Sequence, residues 1–476
     1  MDGQEEEAQQ LNGTDENLLK LLTFKVYKRR WIVLLALCLL NCSNAMLWLS
    51  FAPIADQTSQ FYDVTLDQVN MLSLIYLIVA IPFGFGTSWM LDTLGLKSCL
   101  ILSSWLNMIG SILRYLSTVN TKIYPVLMVG QTISALAQPL VLFSPTKLAA
   151  LWFPEHQRAT ANMLASMSNP LGVLLANILS PIIVKDVSDI PTLLVIYAIP
   201  ASVACVLATG GIRERVPPTP PSATAMMSTS ENFIDGVKLL IKNKPYMILL
   251  VCFGAGIGIF TCFSTLLEQI LCVKGYSNGF AGLCGALFIV FGIFGAFLLG
   301  IYVDKTKYFT EVTKISFCLT AIASIAFAVL SQMRNQKPAL AVICSLFGMF
   351  GFAIYPISLE LAVECSYPVG EATSAGLIFI SGQIQGVIFI VLFQLMTKHL
   401  ADSPYSTCKL QDDATLSWKV PTLVMAAICT VGACVFVLFF HTEYKRLQKE
   451  TLINTGHDSE ESEETSNEEE RVLQET

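Results

Sequence analysis

Long apolar runs and short polar breaks alternate along almost the whole of this chain. Twelve runs reach the roughly 20 residues that a helix needs to cross about 30 Å of hydrocarbon. They lie near residues 31–54, 69–91, 97–118, 123–150, 159–184, 190–212, 245–272, 279–303, 312–333, 338–365, 371–398 and 419–441. Between the sixth and seventh stands the one long interior break, Arg213 to Lys244, which carries Pro217, Pro218, Pro220, Pro221 and several serines. Proline without apolar periodicity predicts a flexible linker there. The pattern divides the chain into a tail (1–30), six spans (31–212), the linker (213–244), six more spans (245–441) and a second tail (442–476).

The polar punctuation repeats once. Phe153-Pro154 followed by Ala159-Thr160-Ala161 returns as Tyr367-Pro368 followed by Thr373-Ser374-Ala375, an offset of 214 residues that Gly172 and Gly386 also keep. The acidic turns at Asp92-Thr93 and Asp304-Lys305 recur at an offset of 212. Breaks repeated at matching spans predict an all-α membrane protein of two pseudo-symmetric six-helix bundles, the architecture of secondary transporters.

Composition supports that class. With 54% hydrophobic and 14% charged residues among 476, and a mean hydropathy of +0.60, a water-soluble domain would hold more apolar area than it could bury. The net charge of −7 owes much to one C-terminal run that includes Glu460, Glu461, Glu463, Glu464, Glu468, Glu469 and Glu470. That run reads first as a disordered, solvated cytosolic tail and second as a docking or phosphorylation site. Nothing basic enough to hold nucleic acid appears. Ten of the 14 cysteines, from Cys38 to Cys434, lie inside apolar runs as small hydrophobes, and no Cys/His spacing suggests a metal. No catalytic triad, paired catalytic carboxylates or phosphate-cradling loop stands out, so an enzyme is not expected. Basic residues number nineteen on the face holding both termini and nine on the other, which predicts cytosolic termini.

Polar side chains inside spans are costly unless they face water, a partner or a cargo. Gln138 and Gln383 fall near the middle of the fourth and eleventh runs, one from each half. Two neutral amides at that depth suit a central cavity for a polar cargo; interhelical bonding is the alternative. Asn169 joins them as the repeat counterpart of Gln383. Trp48, in the outer part of the first span, is either an interfacial anchor or an aromatic face for a cationic or planar ligand, where desolvation raises a cation–π contact to about 2 kcal/mol. Glu268, in the outer half of the seventh run, is placed to attract a cation, couple to protons or reach the outer interface. Asp92 with Lys97 and Asp304 with Lys305 are expected to pair with the neighbouring bundle and lock the cytosolic side until the halves rock. Glu360 and Glu364, a turn apart, are expected to tie the bundles together.

These residues resemble the feline leukaemia virus subgroup C receptor family, solute carrier family 49, within the major facilitator superfamily. The resemblance runs from Arg29 to His441. It is carried by Asn44-Ala45-x-x-Trp48, Leu72-Ser73-x-x-Tyr76, Trp89-x-Leu91-Asp92-Thr93-x-Gly95-Leu96, Gly130-Gln131 with Ala137-Gln138, Ser264-Thr265-Leu266-Leu267-x-Gln269 and Glu360-x-Ala362-Val363-Glu364-x-x-Tyr367-Pro368. It implies the twelve-helix major facilitator fold, alternating access and, from characterised relatives, carriage of choline and ethanolamine, with haem export also proposed. It implies cargo-lining roles for Trp48, Gln138 and Gln383 and brings Asn44 and Tyr76 into the site. The family's cargo-facing Tyr of the seventh span falls at Thr261 and an Asn at Glu268, so half of an aromatic cage is missing. Phe260 or Phe263 would replace it only if the helix turned.

The sequence thus predicts a secondary-active or facilitative transporter of a small organic solute, a choline- or ethanolamine-like amine among the candidates. Export of haem or another porphyrin is the rival, and a non-transporting receptor or scaffold is the rival of another class. No cofactor is expected. The expected partners are a small-molecule substrate and the lipid bilayer, with the chain acting as a monomer in the plasma membrane or, alternatively, an endolysosomal one.

Overall fold

The computed structural model describes residues 25–119, 123–222, 233–399, 416–449 and 451, with a few side chains inside helices, that of Glu268 included, outside the description. The first 24 residues and the acidic C-terminal run also lie outside the described residues. In chain order the helices are α1 (Arg30–Trp48), α2 (Ala55–Tyr62), α3 (Leu66–Thr93), α4 (Leu96–Leu116), α5 (Tyr124–Leu142), α6 (Ser144–Trp152), α7 (Arg158–Ile183), α8 (Ile190–Gly211), α9 (Phe233–Lys242), α10 (Lys244–Cys272), α11 (Asn278–Thr306), α12 (Phe309–Leu330), α13 (Lys337–Ser366), α14 (Glu371–Leu395) and α15 (Lys419–Phe439). All but α2, α6 and α9 are long and apolar enough to cross a membrane, twelve among the described residues. A two-residue antiparallel pair, β1 (Lys398–His399) with β2 (Leu416–Ser417), precedes α15.

Local chemistry sets the boundaries. Thr65 opens α3 with a capping box: its Oγ1 accepts the Gln68 amide at 3.3 Å while Gln68 Oε1 accepts the Thr65 amide at 3.0 Å. Asn243 and Ser277 cap α10 and α11, each side chain accepting the amide three residues on at 3.3 Å. The fourth apolar run differs from the single span expected. Pro139 inside α5 has no amide to offer the carbonyl one turn back, and Pro145 in the first turn of α6 favours a fresh start, so the helix breaks at Phe143.

Packing repeats as the punctuation does. In the first half α1 packs on α7 and α8, α3 on α5, and α4 on α5 and α8. In the second, α10 packs on α14 and α15, α11 on α13, and α12 on α13 and α15. Gly172 and Gly386 sit in equivalent helix pairs. A Cβ on Gly172 would meet the Cys42 carbonyl oxygen of α1 at 2.3 Å, and one on Gly258 of α10 would meet the Gly386 amide at 2.9 Å, so small residues let these backbones touch. The halves meet where α3 lies on α14 and α7 lies on α11 and α13.

The distribution of polarity is that of a protein dissolved in lipid. Leu395, Val206 and Phe439 are exposed on the outside, while Asn41, Asn44, Asn107 and Gln131 are buried within.

Candidate functional site

At mid-height both halves line one cavity of about 140 Å³, counted as space open to the centre of a water molecule. That is room for on the order of ten waters, or for a small organic solute. Trp48, Gln138 and Asn169 reach it from α1, α5 and α7; Thr261, Tyr355 and Gln383 reach it from α10, α13 and α14.

The polar groups on its wall fall into two sets. Some are engaged: Trp48 Nε1 donates to the Ser73 carbonyl at 3.2 Å, Asn169 Nδ2 to Asn41 Oδ1 at 3.1 Å, and Thr261 Oγ1 to the Ile257 carbonyl at 3.1 Å. With its N–H committed, the indole offers the cavity its ring. The others are bare: the amides of Gln138 and Gln383 and the hydroxyl of Tyr355 make no hydrogen bond to any described residue. A polar group in a membrane interior stays unpaired only at a cost, so these three are directed at water or at a guest.

Asn44 and Tyr76 are not on the wall. Asn44 lies one turn before Trp48 and points between α4 and α5, donating to Asn107 Oδ1 at 2.9 Å and to the Ser134 carbonyl at 3.0 Å. Tyr76 is fully buried behind the indole, ring centroids 6.3 Å apart. The side chain of Glu268 lies outside the described residues. Aromatic character on α10 comes from Phe260, which lines the cavity without any turn of the helix, stacked 5.9 Å from Phe288 and edge-on to Phe352 at 4.9 Å. Phe263 instead is buried against Phe288, Phe327 and Phe347. Tyr355 escaped the sequence reading, although a tyrosine midway along an apolar run is a visible polar mark.

Below the cavity, at the end holding the termini, the halves are clasped. Asp92, closing α3, accepts the amide and hydroxyl of Thr373 at the start of α14, at 2.9 and 2.5 Å. Asp304, near the end of α11, accepts the amides of Ala159 and Thr160 at the start of α7, at 2.9 and 2.6 Å. Each acid thus caps a helix of the opposite half, where orphan amides and the positive end of the helix dipole favour an anion. The two repeated punctuation marks are the two sides of this contact.

Two cations differ from expectation. Lys97, half-buried, donates to the carbonyl of Arg213 just beyond α8 at 2.6 Å, and Lys305 is exposed. Their places are taken by Lys147 of α6, buried 3.1 Å from Asp92 and 2.9 Å from Glu371, and by Lys307, whose Nζ reaches the Glu155 carbonyl at 2.7 Å across the halves. Lys147 sits inside the fourth apolar run, a charge that pattern alone marks as conspicuous; Glu371 opens the eleventh. Glu360 does tie the halves, accepting from Asn162 at 3.0 Å, but Glu360 and Glu364 also hold Arg446 between them at 2.9 Å each, which docks the segment after α15. The hydrogen bonds that Lys147, Asn162, Lys307, Asp92 and Asp304 make between the two halves all lie at this end.

Twelve spanning helices in two repeated halves, a mid-height cavity shared by both and a clasp at one end define a transporter fold. Residues 33–392 match the model of the Major Facilitator Superfamily. The chain is 60% identical to solute carrier family 49 member A3 of Xenopus tropicalis over 90% of its own length and 91% of that protein, and 58% identical to the Danio rerio protein of the same name over 90% of each. It is 27% identical to the choline/ethanolamine transporter FLVCR2 of Homo sapiens, over 94% of this chain and 84% of that one. Among solved structures it superposes on the Escherichia coli fucose:proton symporter FucP with a TM-score of 0.64 at 14% identity, covering 85% of this chain and 98% of that one. The chain belongs to the major facilitator superfamily and, within it, to solute carrier family 49.

Proposed function

We propose that the chain carries a small organic solute, an amine of the choline or ethanolamine kind, through the central cavity by alternating access. The observation that carries this reading is the pair of amides, Gln138 and Gln383, one from each half and both without a hydrogen-bond partner among the described residues, on a wall shared with the Trp48 ring. A quaternary or primary amine with a hydroxyl fits that set: the indole and Phe260 meet the cation, and the amides and Tyr355 meet the polar end. Relatives named as choline/ethanolamine transporters support it. The described wall carries no carboxylate or amine, which favours facilitated diffusion, and Glu268 is the residue through which proton coupling would enter.

In this reading residues 31–212 and 245–441 rock about the cavity as two bodies tethered by residues 213–244. The termini are cytosolic, supported by the excess of basic residues on their face and by the disulfide bond of Cys272 at the opposite end of α10, where an oxidising exterior would keep it. The membrane is the plasma membrane, and one chain suffices because it contains the whole cavity. Uptake of radiolabelled choline and ethanolamine into proteoliposomes holding the purified protein tests this. Saturable uptake, lowered about tenfold or more by Trp48→Ala with unchanged reconstitution, is expected. Protein-independent uptake of both amines would refute the choice of cargo.

A further inference from the structure

Behind the indole stands a fully buried cation. Arg114, near the end of α4, has no carboxylate partner among the described residues: Nη1 donates to the Leu47 carbonyl at 3.0 Å, Nη2 to Ser50 Oγ at 2.5 Å, and the guanidinium lies 4.9 Å from the Phe51 ring centroid. These contacts all fall at the end of α1, where the last carbonyls lack helical amides and the helix carries partial negative charge. A buried guanidinium is held there by a helix end in place of an acid.

Gln131, buried on α5, works on the same place. Its Nε2 lies 3.4 Å from the Leu47 carbonyl and 3.5 Å from that of Trp48, and donates to the Leu72 carbonyl at 3.0 Å. Leu72 immediately precedes Ser73, whose carbonyl accepts the Trp48 N–H. One amide therefore holds both the backbone that carries the indole and the turn of α3 that accepts its hydrogen bond. A leucine or methionine would fill the volume of Gln131 but would remove the side-chain hydrogen bonds that tie those carbonyls together.

We propose that Arg114 and Gln131 are positioning residues for the cavity: together they clamp the carbonyl end of α1, so that Trp48 presents its ring at a fixed angle. Neither lines the cavity. The importance of the clamp to transport rests on the reading of Trp48 given above, whereas its geometry is testable without any cargo.

Full-length protein labelled with 5-fluorotryptophan gives one fluorine resonance for each of its six tryptophans, and Trp48→Phe assigns the one at position 48. Gln131→Met removes the amide at nearly constant volume; Arg114→Lys keeps the charge but loses the planar fork. Both are expected to move or broaden the Trp48 resonance while leaving that of Trp152, at the clasped end, in place. With radiolabelled choline as probe, Gln131→Met is expected to raise KM about tenfold with kcat within about twofold. A Trp48 resonance unmoved in both variants overturns the clamp, as does a shift shared by all six tryptophans. If the wild-type protein moves no choline while the Trp48 resonance still shifts, the cargo assignment fails and the clamp stands.

Discussion

The interiors of the two halves share a backbone plan and have opposite chemistry. In the first half the space among α1, α4, α5 and α7 is filled by amides and hydroxyls: Asn41, Asn44, Asn107, Gln131 and Ser43 bond one another or nearby carbonyls. In the second, the space among α10, α11, α12 and α13 is filled by rings, with Phe260, Phe263, Phe288, Phe327, Phe347 and Phe352 at centroid separations of 4.7–5.9 Å. At the repeat offset of 214, Gln138 corresponds to Phe352, and both line the cavity. What must recur in such a repeat is where helices cross and where they stop. What fills the crossings is free to diverge, and here one half supplies directional hydrogen bonds while the other supplies a polarisable wall.

The halves differ again at the clasp, and that difference gives the largest expected effect. Asp92 shares Lys147 with Glu371, whereas Asp304 relies on helix amides and a hydroxyl. Lys147→Met strands two buried acids and is expected to cost about 3–5 kcal/mol, against about 1–2 kcal/mol for Asp304→Asn; thermal unfolding in detergent measures both. Equal losses would show that the lysine is not what distinguishes the two sides.

Within the bundles, Phe288→Ala removes a ring that touches four others and is expected to cost about 3–5 kcal/mol. Asn107→Leu removes one hydrogen bond each from Asn44 and Ser43 for about 2 kcal/mol. A larger loss at Asn107 than at Phe288 would break the contrast between the two interiors. On choline uptake, Gln138→Ala should raise KM about tenfold, and Phe352→Leu, its counterpart, only about twofold. The smallest change is expected at Lys97→Ala and Lys305→Ala, each within about 0.5 kcal/mol by the same melting measurement. A loss of several kcal/mol at either would restore these lysines to the clasp.

The spans and the repeat were legible because hydropathy over twenty residues is a strong signal and because motif spacing does not depend on packing, whereas the stretch expected to be a flexible linker carries helix α9 (Phe233–Lys242). Gln138 and Gln383 were found by depth, Asn169 by the repeat and Trp48 by its aromatic face near the outer end of a span, and the structure brings them to one cavity. Direction around a helix axis was not legible. Asn44 and Tyr76 share spans with cavity residues yet face away from it, and Lys97 and Lys305 neighbour clasp acids yet turn elsewhere, Lys97 to the Arg213 carbonyl and Lys305 outward. Arg114, a charge near the outer end of α4, is drawn fully inside by the end of α1. Lys147 lies within an apolar run, where its charge alone was the available clue.

The crossed caps have one more consequence. The acid of each half grips the helix start of the other, so the contact is isologous, the relation that two copies of one subunit make across a two-fold axis. A lone six-helix half would carry both the hook and the eye, and could close the clasp only by meeting a second half in parallel. The covalent chain is thus organised as a dimer of itself, and its two hooks must release in concert for the closed end to part.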